Sequence, residues 1–146
     1  MIREATINDV ALCGEMASAF YFKHNSSGFF VAEQFIAFWE MMLAKNLGTI
    51  YLRERSGVPV EAMGIIRHPS IYNGLPSAAS MFWYTTNGQG LASGSLFDHV
   101  MTLLRAEKIA EFKVPILIDD RLGKVAGFLL NIGFVPSDMT YEIKLN

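Results

Sequence analysis

Residues 78–104 constrain this chain more than any other stretch. Ala78 to Thr85 is rich in apolar and ring side chains and reads as a strand. It runs into Asn87-Gly88-Gln89-Gly90. Beyond the glycines, Leu91, Leu96, Val100, Leu103 and Leu104 recur at helical spacing, which predicts a helix with those residues inward. Glycines let a backbone take positive φ and let a ligand approach closely. A helix start presents unpaired amide protons and the positive end of the macrodipole, so such a turn can hold phosphate or pyrophosphate. It can equally serve chain reversal alone, because short glycine patterns are common.

Three phosphate loops compete for this turn. A Walker loop needs a terminal Gly-Lys-Ser/Thr, and no lysine is present. A dinucleotide turn has near-matching spacing in Gly88, Gly90 and Gly94, with Asp119 ending the next expected strand. Its position argues against it: that motif opens a sheet needing several further strands, and too little chain follows Asp120. The third type is taken up below.

The remaining elements follow from local patterns. Ile2 to Ala5 is a short strand, and Thr6 with Asn8-Asp9 supplies helix-start chemistry. Leu12, Met16 and Phe20 then repeat on one helical face. Residues 24–28 read as a loop. A second helix turns Phe35, Phe38, Trp39, Met42 and Leu43 to one side and ends at Asn46 and Gly48. Thr49–Arg55 and Val60–Arg67 form strands around a Ser56-Gly57 hairpin turn. Pro115–Ile118 is an apolar strand bounded by Asp119-Asp120. Val125, Phe128, Leu129 and Ile132 make a short helix that Gly133 caps. Phe134-Val135 and Met139–Leu145 are strand-like. Hairpins beside a strand–helix–strand unit predict an α/β fold, a mixed β-sheet with helices on both faces.

Composition limits the partners. The chain has 146 residues, enough for one domain spanning 1–146. Lys+Arg number 12 against 14 Asp+Glu, so no basic footprint for nucleic acid or an anionic membrane exists. Charged residues are 18% of the chain, below the ordinary figure of about 25%, which fits a surface covered by a second copy in a homodimer. No apolar run reaches the roughly 18 residues of a membrane span. The opening residues lack the apolar core of a signal peptide, and a cytoplasmic location is expected. The one cysteine, Cys13, excludes an internal disulfide and reads as a small core residue. His24 and His99 share no metal-ligand spacing, so no metal is expected.

The turn Asn87-Gly88-Gln89-Gly90-Leu91-Ala92 resembles the R/Q-x-x-G-x-G/A loop of the GNAT acetyltransferase superfamily. Ile2-Arg3-Glu4-Ala5-Thr6 with Asp9 looks like its usual opening. Gly64 sits where the third strand of that family commonly carries glycine. Phe128-Leu129-Leu130-Asn131-Ile132-Gly133-Phe134 is similar to its helix-to-strand segment. The order of elements matches along essentially the whole chain.

This resemblance implies acetyl-CoA as co-substrate and acetyl transfer to an amine of a small molecule or peptide. By carry-over, the amides of Gly88, Gly90 and Ala92 would hold the pyrophosphate, with Asn87, Gln89, Leu91 and Ser93 adding contacts. Phe82, Trp83 and Tyr84 would line the pantetheine and polarise the thioester. The family often places a proton-donating tyrosine on the last helix, where this chain has Leu129. Tyr84 and His68 are the candidates to replace it as acid and base; Glu61 and the Asp119-Asp120 pair are further acidic groups. Each has a plain alternative: strand packing for Tyr84, a surface turn for His68, solvation for Glu61, capping for the aspartates. The aromatic residues Phe20, Tyr21, Phe22, Phe29, Phe30, Phe35, Phe38 and Trp39 would border an apolar acceptor pocket or pack the core. A catalytically inactive GNAT-like binding or structural module is the alternative reading, and a nucleotide-binding module the third.

Overall fold

The Ser56-Gly57 turn fixes the centre of the sheet. Both residues take positive φ, 53° and 77°, which two-residue hairpins favour because the turn then follows the strand twist. The strands it joins are β2 (Gly48–Arg55) and β3 (Val58–Pro69). In this computed structural model, residues 1–24, 30–86, 94–116 and 122–145 are described, without the His24 side chain. The chain divides into two compact units, Met1–Pro115 and Ile116–Asn146.

The first unit holds a five-stranded sheet in the order β1-β2-β3-β4-β5, with β1 at Ile2–Glu4, β4 at Pro76–Thr85 and β5 at Glu111–Lys113. All neighbours are antiparallel except β4 and β5, which run parallel. Helices α1 (Val10–His24) and α2 (Ala32–Ala44) pack on one face through Val10, Cys13, Met16, Trp39 and Met42, which meet Ile50, Leu52, Ala62 and Phe82. Helix α3 (Ser95–Ala106) serves the other face, burying Leu96, Phe97, Val100 and Leu104. The mixed sheet with helices on both faces is thus observed.

Gly64 is required by packing. A Cβ there would lie 2.7 Å from the Trp39 ring and closer still to Phe82. The N-terminus is held by an ion-pair cluster. The Arg3 guanidinium donates to both Asp9 carboxylate oxygens at 2.8 and 3.0 Å, and its Nε donates to Glu54 at 2.8 Å. With the Thr6 amide also donating at 2.7 Å, the Asp9 carboxyl is lowered to about 2, chiefly by Arg3.

Helix α2 ends with Asn46 at φ 55° and α3 with Lys108 at φ 61°. In each, the following residue donates back five positions, Leu47 to Met42 and Ile109 to Leu104, both at 3.0 Å. The second unit repeats this in α4 (Leu122–Asn131): Gly133 is left-handed and Phe134 donates to the Leu129 carbonyl at 3.0 Å. These are Schellman closures, which satisfy carbonyls at a helix end.

Four expectations fail. The parallel strand is Glu111–Lys113, upstream of the expected Pro115–Ile118, because Ala110 already bonds to the Pro76 carbonyl at 2.9 Å and sets the pairing there. Val114 to Ile116 carry no strand, and residues 117–121 lie outside the described set. The segments Phe134-Val135 and Met139–Leu145 form no strand among the described residues, since period-two apolarity makes a strand only when a partner strand bonds to it. Phe38 is 38% exposed, on the flank of α2 rather than its inward face. Leu103 is half-buried, while Phe97, absent from the expected inward set, is fully buried.

Candidate functional site

The glycine turn directs attention to the strand that feeds it. Strand β4 has two unlike halves. Ser77, Ala78 and Ala79 pair on both sides, with β3 and with Glu111, Phe112 and Lys113 of β5. From Ser80 to Thr85 the strand pairs with β3 alone, and no strand among the described residues runs along its other edge. The halves meet at a bulge: Ile65 pairs with Ser80 and Gly64 with Phe82, leaving Met81 extra. A bulge bends the strand and breaks its alternation. The Ser80 hydroxyl spans it, donating to the Phe82 carbonyl at 3.2 Å.

Beyond the bulge the two faces of β4 differ in chemistry. On the α3 face, Glu61 is 1% exposed. Its Oε1 accepts from Arg53 Nε at 2.8 Å and its Oε2 from Trp83 Nε1 at 2.7 Å. Trp83 stacks on Phe97 with ring centroids 5.1 Å apart. A buried carboxylate with a guanidinium and an indole N–H has both oxygens engaged, and this network ties β2, β3 and β4 together beside the turn.

On the α1/α2 face the rings form a chain. Phe20 and Tyr84 lie 4.4 Å apart, Tyr84 and Phe82 stack at 5.0 Å, and Phe82 meets Phe35 at 5.4 Å. Phe35 meets Phe30 at 6.0 Å, and Phe30 meets Tyr21 at 5.5 Å. Phe82 is buried, whereas Phe20, Tyr21, Phe30, Phe35 and Tyr84 stay half-buried.

The structure brings Phe82, Trp83 and Tyr84 onto this segment, with Phe82 and Tyr84 on one face and Trp83 on the other. His68 is not brought near them. It is exposed and pairs with Ser77, at the opposite end of the β3–β4 ladder from Tyr84, which pairs with Ala62. Seven residues of strand separate those ends, roughly 23 Å. Asn87, Gly88, Gln89, Gly90, Leu91, Ala92 and Ser93 lie outside the described residues, as do Phe29, Asp119 and Asp120. Gly94, left-handed at φ 61°, leads into α3. Phe22 is 74% exposed, away from the ring chain. Burial pushes the Cys13 thiol up to about 11, which suits a packed side chain rather than a nucleophile. Leu129 lies on α4, in the second unit. The residue whose weight the sequence hid is Glu61, expected to be solvated and found buried.

Among the described residues, no three His, Cys, Asp or Glu side chains group as a metal site, and no helix is long and apolar enough to cross a membrane.

No protein-family model and no curated protein matches the sequence. Solved structures do match it. A GCN5-related N-acetyltransferase from Ralstonia eutropha JMP134 superposes with a TM-score of 0.75 at 15% identity, covering 98% of this chain and 97% of that one. A predicted acetyltransferase with acetyl-CoA from Clostridium acetobutylicum gives 0.74 at 15% identity, covering 99% and 95%. An aminoglycoside 6'-N-acetyltransferase from Acinetobacter haemolyticus gives 0.72 at 11% identity, covering 100% and 98%. From the order of its strands to the span of these superpositions, the chain has the fold of the GNAT acetyltransferases.

Proposed function

We propose that this chain is an acetyl-CoA-dependent N-acetyltransferase acting on an amine of a small molecule or peptide, with residues 1–146 working as one acyl-CoA-binding domain. The carrying observation is that β4 outruns β5 and leads directly to the glycine turn. A similar structure was solved with acetyl-CoA, and the likeness spans nearly all of this chain. The amides of Gly88, Gly90 and Ala92 would hold the pyrophosphate, with Asn87, Gln89, Leu91 and Ser93 beside them. The segment Phe82 to Tyr84 would run along the pantetheine.

Acetyl-CoA supplies an activated thioester. The neutral amine attacks its carbonyl, the C–S bond breaks, and the thiolate leaves; the nitrogen releases one proton to water, the sulfur takes one from its donor, and water returns a proton to that donor, so none is gained or lost overall. Tyr84 carries the one ionisable side chain between Ser80 and Thr85. In this reading its hydroxyl donates to the departing thiolate. His68 is too distant along the ladder to share that task.

Calorimetric titration tests the reading. Acetyl-CoA and CoA should bind in the micromolar range, and NAD and ATP should not. No binding at millimolar acetyl-CoA overturns it. Tyr84→Phe should lower kcat by about 100-fold, the lower end for a positioned proton donor, while acetyl-CoA affinity holds. Binding without turnover of any amine would favour the inactive module, which Leu129 at the family's tyrosine position also favours.

A further inference from the structure

We propose that the acceptor is a small primary amine with one positive charge and an aromatic or apolar body, seated on the half-buried rings beside β4. This rests on the acetyltransferase reading and deepens it. The reacting carbonyl belongs beside β4 beyond the bulge, so the acceptor approaches over one face of that segment. The α3 face is occupied: Trp83 lies against Phe97, and both Glu61 oxygens already accept hydrogen bonds. The opposite face offers Phe20, Tyr21, Phe30, Phe35 and Tyr84, with centroid spacings of 4.4–6.0 Å along their chain.

Five half-exposed rings favour a flat or branched apolar body by area, and their π faces attract one ammonium. A polyamine or an amino sugar needs several carboxylates instead, because each added charge must be paired when it leaves water. Among the described residues of the first unit, the two helices over that face do not place them beside the rings. On α1 and α2 the carboxylates are Glu15, Glu33 and Glu40, all exposed, and Glu15 lines a groove on the outer side with Ala11, Ser18 and Phe22. By sequence, residues 24–32 and 84–97 contain no acid at all.

The test is calorimetry on the full chain with 2-phenylethylamine, ethylamine and spermidine, each with and without acetyl-CoA. We expect 2-phenylethylamine to bind at least tenfold more tightly than either other amine. Phe20→Leu should weaken it at least fivefold and leave acetyl-CoA affinity unchanged; Tyr21→Ala repeats the test at a less central ring. Tighter binding of spermidine overturns the inference. So does equal binding of the three amines by a protein that binds acetyl-CoA, and in that case the acetyltransferase reading stands. Selective, Phe20-dependent binding of 2-phenylethylamine without acetyl-CoA binding supports the aromatic seat and overturns acetyl transfer instead.

Discussion

The two halves of β4 have the same neighbour on one side and different fates on the other. Residues 77–79 are locked between β3 and β5 and carry small side chains, and the Ser77 hydroxyl donates to the His68 carbonyl at 2.6 Å. Residues 80–85 carry the bulge, a buried carboxylate network on one face and a ring chain on the other. The second half spends stability-determining groups, an ion pair and a close ring–glycine contact, on holding an edge that no described strand covers. One ladder, to β3, holds this half where the other half has two, and side chains add the rest.

The largest break should come from Glu61→Ala. It strands the Arg53 guanidinium, whose side chain is 17% exposed, and removes the acceptor for Trp83 Nε1. Urea unfolding should show a loss of about 3 kcal/mol, as for a buried pair cut on one side. Acetyl-CoA affinity should fall with it, because the open half loses its anchor. Gly64→Ala should cost about 2 kcal/mol by pushing Phe82 and Trp39 apart, an overpacking strain, and should disturb the Phe82–Tyr84 stack in the near-ultraviolet circular dichroism.

Asp9→Asn provides a reference away from β4. It should cost about 1 kcal/mol at neutral pH, as for a partly exposed ion pair, and leave ligand binding intact. Its sign with pH is fixed. The folded carboxyl sits at about 2, below its ordinary value, so its contribution is complete above the unfolded value of about 4 and is lost as pH falls toward 2. The wild-type and variant unfolding curves should converge over that interval. The smallest effect sharpens the closed half: Lys108→Gly relieves a left-handed lysine in the turn that delivers the chain to β5, and should stabilise by about 0.5–1 kcal/mol.

Much of the fold could be read locally. The Ser56-Gly57 turn and the left-handed ends at Asn46 and Gly133 answer to backbone demands that local composition signals, whereas Gly64 was marked by the resemblance alone and its reason, the Trp39 and Phe82 rings, lies elsewhere in the chain. What escaped depends on register. A regular ladder from that turn would set Arg53 opposite Val60; one extra residue in β3 sets it opposite Glu61 instead. The charge pair was therefore invisible to simple alternation, and Glu61 looked like a solvated edge residue. The position of β5 escaped for a related reason. Apolarity pointed to Pro115–Ile118, while the turn out of α3 commits Glu111, Phe112 and Lys113 to pairing first. Of the candidate site, the strand residues Phe82, Trp83 and Tyr84 were legible as neighbours of the turn, but their split between two faces needed the pairing partners.

The extra residue at Met81 works as a parity switch. Ala78 and Ser80, even-numbered, stand opposite Arg67 and Ile65, while Phe82 and Tyr84, also even, stand opposite Gly64 and Ala62. Even numbers thus change sides of the sheet at one position. Deleting Met81 would restore a regular ladder in which Ser80 and Phe82 stay opposite Ile65 and Gly64, so both halves would keep their partners and faces and lose only the bend between them. Chains descended from this one should therefore be able to lose this one residue without turning a single inward side chain outward, giving up the kink alone.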